Sequence, residues 1–248
     1  MEKHEYRNMF EMEDHLWWYR GIRMYFARAI ERARLPAHAR VLDAGCGSGA
    51  NMVFLSKMFP RTFGFDLAPE GVTLCASRGL KRILIANLNR LPFRDGTFDC
   101  ILCSDVLESR EVDERLALSE LARTTRIGGR IILSVAAYQF LLSEHDRAVH
   151  SVRRYTKRQA KRALSASGLE IVGLRYLFGF FFPPIVAYRL LKRLITGSGA
   201  TSPPRSDVFL PPGFLNTALL AIMRLEVALS RLWHLPFGTT LLVEMRRV

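Results

Sequence analysis

Apolar residues recur along this chain in two alternating rhythms. Short, nearly unbroken apolar runs at 40–44, 62–67, 82–86, 98–104, 130–136 and 169–176 predict buried strands. Between them lie stretches with the period of a helix. The first, 13–34, carries tryptophan, tyrosine and phenylalanine on one side and ends at Leu35-Pro36. Helices are also predicted at 50–59, from Pro69, at 113–125 before the Gly128-Gly129 break, and at 156–167. Thr156 suits the N-cap of the last of these and Gly168 its C-terminal stop. Strands alternating with helices predict a parallel sheet with crossover helices.

Beyond residue 177 the rhythm changes. Residues 178–195 are aromatic and basic, 196–213 are rich in Gly, Ser and Pro, and 215–233 read as a helix with a wide apolar face. A last strand follows at 239–246. Read as a helix from Pro184, the basic segment sets Arg189, Lys192 and Arg193 against Ile185, Tyr188, Leu191 and Ile195. Such a segment suits a membrane interface, a cap over a substrate pocket, or a dimer contact.

A chain of 248 residues suits one α/β domain with additions. Its net charge of +13 favours anionic partners such as nucleic acid, anionic lipid or phosphorylated substrates. Cys100 and Cys103 form a C-x-x-C, but on a strand residues three apart face opposite ways. Reduced thiols and a cytoplasmic location are therefore expected, with no metal site. The charged stretch at 1–15 has no apolar segment of a secretory leader. The longest apolar run, 178–195, is interrupted by two prolines and three basic residues, so no membrane span is expected.

The chemistry centres on VLDAGCGSGANMVFL, 41–55. Its glycines fit both a dinucleotide pattern and a G-x-G-x-G pattern, and a strand-turn-helix of this kind brings backbone N–H groups up to a ligand. Asp66 ends the second strand about 20 residues on, where a carboxylate can hold both ribose hydroxyls or cap the following helix. Asp43, just before the turn, disfavours a pyrophosphate and suits a cationic ligand.

VLDAGCGSG, FGFDLA, ANLNRLPFRDGTFDCILCSDVLE and LARTTRIGGRIILSV, in that order, resemble the class I S-adenosylmethionine-dependent methyltransferases. The resemblance covers 40–176, with 239–246 as the reversed edge strand. It implies a doubly wound, Rossmann-like seven-stranded α/β sheet, here with an N-terminal helix and a helical cap inserted before the last strand. The corresponding divisions are a helical lid at 1–36, a cofactor-binding core at 37–177, an amphipathic insertion at 178–236 and the final strand at 237–248. Carried over, the resemblance implies that Asp43, Gly45, Cys46, Gly47 and Gly49 surround the methionine part of S-adenosylmethionine. Asp66 would hold the ribose, Leu67, Asn87 and Leu88 the adenine, and Ser104 and Asp105 the methionine end beside the acceptor. Asn87 stands where the family often has Asp, and Ser109 where it often has His.

HLWWYRGIR and HDRAVHSVRRYT further resemble a bacterial subgroup whose genes often accompany those for cell-surface saccharides and lipids. That resemblance implies a small-molecule, lipid-linked or saccharide-linked acceptor. His145, Asp146 and His150 after the fifth strand, together with Glu108, are the candidate acid–base groups. The alternative for the first three is a polar loop capping the next helix. Arg153, Arg154 and Tyr155 are placed to hold an anionic acceptor. Trp18, Tyr19 and Arg20 are placed either as a lid or, for the tryptophan, in the core. Neither an N-P-P-Y nor a D-P-P-Y stretch is present and no RNA-binding module is recognisable, which disfavours nucleic acid. An NAD-dependent oxidoreductase and a nucleic-acid methyltransferase are the alternatives, and the oligomeric state is left open.

Overall fold

The computed structural model describes residues 1–165, 167–196 and 208–248, without the side chains of Arg193, Ile195 and Thr196. The loop expected over 197–207, and the Arg193 and Ile195 side chains of the basic segment, lie outside the described residues.

The strands are β1 (Arg40–Ala44), β2 (Arg61–Asp66), β3 (Ile83–Ile85), β4 (Phe98–Ser104), β5 (Thr125–Ala136), β6 (Leu169–Leu177) and β7 (Thr240–Arg247). They form one sheet of order β3-β2-β1-β4-β5-β7-β6. Pairing is parallel from β3 to β5, and β7 enters antiparallel to both β5 and β6. The order reverses between β1 and β4, whose crossovers leave in opposite directions. A crevice therefore opens beyond their C-terminal ends, where this class of sheet binds ligands.

The helices are α1 (Lys3–Met12), α2 (Trp17–Ala33), α3 (Ala50–Ser56), α4 (Pro69–Ser77), α5 (Glu114–Thr124), α6 (Glu144–Ala148), α7 (Lys157–Leu164), α8 (Phe182–Thr196) and α9 (Gly213–Leu229). They cover both faces of the sheet, so the central strands are buried on both sides and read as continuous apolar runs. The two faces separate strictly by strand period. Leu42, Ile101, Cys103, Ile131 and Val243 face one core, with Leu118 and Leu164. Val41, Cys100, Leu102, Ile132 and Leu242 face the other, with Phe26, Leu55 and Met223. Cys100 and Cys103 thus lie on opposite faces, both as free thiols.

The N-terminal segment corrects the single helix expected over 13–34. Two helices form, broken at 13–16, because Glu13 and Leu16 are both buried and draw the chain in different directions. Glu13 turns to Ser48 Oγ and Arg78, while Leu16 joins the core. Gly128 and Gly129 do not end α5. They form an excursion inside β5, between the pairs Phe98–Thr125 and Cys100–Arg130, and Gly128 sits at φ 75°.

The insertion also differs from expectation. On α8, Arg189 and Lys192 lie half-buried on the inward side, Lys192 facing Glu144 at 3.5 Å. The exposed face is apolar instead, with Tyr188, Leu190, Leu191 and Leu194. Ile185 packs on the core and Phe182 on Tyr138, and Arg189 and Lys192, four and seven residues after Ile185, share that side of the helix.

Candidate active site

The turn after β1 needs glycine on steric grounds. Gly45, Gly47 and Gly49 have φ of 75°, 54° and 95°, which L side chains rarely adopt. A Cβ at Gly45 would also collide with Val106, just beyond β4. The turn is fastened to β2 by the N–H groups of Gly45 and Cys46, which donate to Phe65 O at 3.0 and 2.8 Å. The Cys46 thiol packs against Cys75, with the sulfurs 3.7 Å apart.

Two carboxylates frame this turn. Asp66 Oδ2 accepts from the Gly47 N–H at 2.8 Å; Oδ1 accepts from the Ala68 N–H at 3.0 Å and the Tyr6 hydroxyl at 2.8 Å. It therefore ties the glycine turn to the link between β2 and α4, whose N-cap is Ala68 and not Asp66. Asp43 is only 1% exposed; the Met52 N–H of α3 lies within electrostatic reach of its carboxylate, but neither oxygen completes a hydrogen bond. Burial, with Glu13 and Asp66 nearby, pushes its pKa up to about 8. An unpartnered buried carboxylate under a glycine turn fits a cationic ligand group, the ammonium or sulfonium of S-adenosylmethionine, better than a pyrophosphate.

The sign of this shift makes a stability prediction. A carboxyl whose folded pKa lies above its unfolded value holds its proton more tightly when folded. Its stabilising contribution is therefore present at low pH and lost as pH rises toward 8. Ligand-free protein is expected to lose up to about 1.4 kcal/mol per pH unit from this group between roughly pH 4 and 8. Calorimetric melting across that range should show the slope, and Asp43→Asn should make it shallower, with Glu108, raised in the same direction, leaving a remainder; an unchanged slope in the variant would refute the assignment.

What covers the turn is α1. Tyr6 is buried on Asp66, Met9 rests on Gly47, and Arg78 joins Glu13 at 2.8 Å and Asp14 at 2.7 Å. Its first residues are tied down as well: the Glu2 N–H donates to Ala148 O, and Glu2 meets His150 at 3.0 Å. Sequence reading missed this helix. Its signal is Tyr6, Met9, Phe10 and Glu13 at helical spacing, masked by the surrounding charge.

A second polar group gathers at the ends of β4 and β5. Ser104 Oγ lies 3.1 Å from Asp105 Oδ2 and 3.0 Å from Ser134 Oγ. Asp105, at φ 55°, reaches solvent yet is walled by protein, and desolvation raises its pKa. Glu108 is 3% exposed; Oε1 accepts from the Ala136 N–H at 3.1 Å and Oε2 has no partner. Burial and Asp105 push its pKa up to about 8. Tyr19, half-buried on α2, lies within electrostatic reach of Asp105: burial raises its pKa, and Glu13, Asp105 and Glu5 add to the rise. Leu88 is buried, whereas Leu67 and Asn87 are exposed, Asn87 Oδ1 accepting from the Asn89 N–H.

Other expected site residues are committed elsewhere. Asp146 does not orient His145: it caps α6 through Ser143 and holds Arg154 at 2.7 and 3.0 Å. An ion pair this buried satisfies both charges internally. Arg153 donates to the carbonyls of Ser109 and Val112, and the Tyr155 hydroxyl donates to Glu114 at 2.6 Å. His150 is held between Glu111 at 2.9 Å and Glu2 at 3.0 Å. His145 is half-buried on α6, and Arg20 half-buried on α2. Trp18 stacks flat on Phe178, centroids 3.8 Å apart, and Trp17 lies against Phe181 at 4.4 Å. Trp18→Ala is therefore expected to cost about 3 kcal/mol of stability. Its affinity for S-adenosylmethionine should be unchanged; a tenfold weaker affinity in titration calorimetry would restore the lid role.

Residues 42–133 match the family model described as a methyltransferase domain. The chain is 32% identical to the malonyl-[acyl-carrier protein] O-methyltransferase of Herminiimonas arsenicoxydans, over 53% of each chain. It is 34% identical to the fatty-acid O-methyltransferase of Mycolicibacterium smegmatis, over 44% of this chain and 42% of that one. It is 30% identical to the tRNA (carboxymethyluridine(34)-5-O)-methyltransferase of Arabidopsis thaliana, over 42% of this chain and 25% of the relative. The chain thus spans about half or less of the length of these curated relatives. Among solved structures, a chain from the complex of the Haloferax volcanii Trm112 methyltransferase activator with a methyltransferase superposes with a TM-score of 0.63. That match has 18% identity and covers 98% of this chain and 93% of the other.

Proposed function

We propose that this chain, whose residues 42–133 match a methyltransferase domain, is a class I S-adenosylmethionine-dependent methyltransferase that transfers a methyl group to a small-molecule, lipid-linked or saccharide-linked acceptor, at a membrane surface. The observation that carries the reading is the unpartnered Asp43 carboxyl beneath three glycines of positive φ, with Asp66 one strand away. That arrangement supports an adenosyl sulfonium over the dinucleotide alternative.

Asp43 would receive the cationic methionine part, Asp66 the ribose, and Leu67, Asn87 and Leu88 the adenine. The cofactor, when bound, supplies a methyl group already activated by positive charge on sulfur. The protein's remaining tasks are to align an acceptor, exclude water and take a proton. Glu108 suits the last task. It lies at the crevice end of β4, has one free oxygen, and a pKa near 8 lets it accept a proton near neutral pH. Ser104, Asp105 and Tyr19 line the approach. His145, on the neighbouring α6, is the second candidate base.

For the acceptor, support comes from two sources. Two of the relatives methylate oxygen on an acyl-carrier-protein-bound malonyl group and on a fatty acid. The chain's own insertion turns apolar residues outward. No described helix is long and apolar enough to cross a membrane, so contact would be peripheral. The test is transfer of radiolabelled methyl from S-adenosylmethionine into bacterial extract, partitioned between organic and aqueous phases. Label in the organic phase is expected; label confined to RNA would replace this reading with nucleic-acid methylation.

A further inference from the structure

Helix α9 is apolar on two opposite faces, and only one of them has a place in the core. Leu220, Met223 and Val227 point inward against α2, and Glu226 is buried with them, accepting from the Tyr25 hydroxyl and the N–H groups of Gly179 and Phe180. Turned by half a revolution, Phe214, Ile222, Leu225 and Leu229 form a stripe at helical spacing, and Leu232 follows in the turn after the helix. Phe214 is 80% exposed, Leu225 54% and Leu229 39%, so among the described residues this stripe faces outward along the helix. An exposed apolar stripe of this length marks a surface for a partner or for lipid.

We infer that the outward stripe of α9 is a docking surface for an anionic lipid bilayer, resting on the membrane-facing reading of the acceptor above. Charge decides between lipid and a second copy of the chain. Arg224 and Arg231, both exposed, border the stripe on one side. Glu226, the one acid of α9, is 5% exposed. Two copies meeting on this stripe would bring arginines to a surface with no exposed acid of α9 to receive them. Lipid phosphates would receive them, and the net charge of +13 favours the same partner. Trp233, 60% exposed at the end of the stripe, has the amphipathic ring that sits at headgroup depth.

The surface is also mechanically joined to the crevice. Asn216, in the first turn of α9, accepts from the Trp17 N–H and donates to His15 O, both at 2.9 Å. The start of the lipid face is thereby pinned to the bend between α1 and α2. That bend is flanked by α1, which covers the turn, and by Tyr19 at the start of α2. Docking on α9 would present a lipid acceptor at the mouth of the site.

The experiment is cosedimentation of the full chain with vesicles of phosphatidylcholine alone and of phosphatidylcholine with phosphatidylglycerol. Binding to the anionic vesicles is expected, weakened by salt. Leu225→Glu should lower the partition coefficient at least tenfold, and Phe214→Ser severalfold, with circular dichroism and affinity for S-adenosylmethionine unchanged. Arg224→Gln with Arg231→Gln should remove much of the salt dependence. Three results would overturn the inference: wild-type protein that stays in solution, Leu225→Glu that binds like wild type, or a wild-type dimer that Leu225→Glu dissociates. If vesicle binding fails while label still enters the organic phase, this surface is wrong and the acceptor reading stands. If binding holds and label appears only in water, the reverse follows.

Discussion

Asp66→Ala is expected to weaken S-adenosylmethionine binding at least about 100-fold while leaving the protein folded. Hydrogen bonds to a charged acceptor contribute roughly 1.5–3 kcal/mol each, and a ribose offers two. Here the carboxylate also receives the Gly47 N–H, so alanine loosens the turn as well as the ribose contact. Titration calorimetry measures the loss, and melting temperature reports the fold. Tyr6→Phe is the informative companion. The Tyr6 hydroxyl occupies Asp66 Oδ1, so a ribose hydroxyl must share or displace it. Deleting one such bond, worth roughly 1.5–3 kcal/mol, should tighten binding by about tenfold or more. Wild-type affinity in Asp66→Ala would refute the ribose assignment. A tenfold weaker Tyr6→Phe would make Tyr6 part of the ligand site rather than its rival.

Glu108→Gln is expected to lower kcat by roughly 100- to 10,000-fold, the range that a positioned acid–base group supplies. Affinity for S-adenosylmethionine should stay within about twofold, because the Glu108 carboxylate is bound to the Ala136 N–H at the end of β5 and makes no hydrogen bond to the glycine turn. The pH profile carries the sign. With a pKa near 8, the wild-type group is mostly protonated at neutral pH, so kcat/KM should rise with pH and level off above about 8. Glutamine cannot titrate, and the rise should vanish. Glutamine also preserves shape and the bond from the Ala136 N–H, so a folding defect would not explain the loss. If Glu108→Gln remains active and His145→Ala does not, the proton goes to α6 instead.

Much of the core was legible because its signals are local. Thr156 caps α7 with Gln159 in a reciprocal box, and Pro69 opens α4, as residue types alone predict. β4 runs over Phe98–Ser104 as its apolar run predicts, because a strand buried on both faces must be apolar throughout. The glycine turn and Asp66 were legible for a similar reason, since positive φ and a strand-end carboxylate leave their mark within a few residues.

Several site features were not legible. Asp146 and His145 are neighbours in sequence, yet the Asp146 carboxylate goes to Arg154, eight residues on. Which partner wins is decided by burial, since a buried carboxylate without a cation is costly. The outward stripe of α9 was visible as a wide apolar face, but hydropathy alone cannot say which half of it meets the core.

The succession of strands, the glycine turn after β1 and the resemblance to a methyltransferase domain were written locally, whereas α1 and the break before α2 were not. The first three depend on periodicity and local backbone sterics. Only the tertiary structure decided that α1 lies across the turn with Tyr6 on Asp66, sixty residues away. It likewise decided that Asp43 has no partner and that α9 keeps one apolar face outside. Those outcomes depend on which surfaces are already occupied when distant segments meet, and no local pattern encodes that competition.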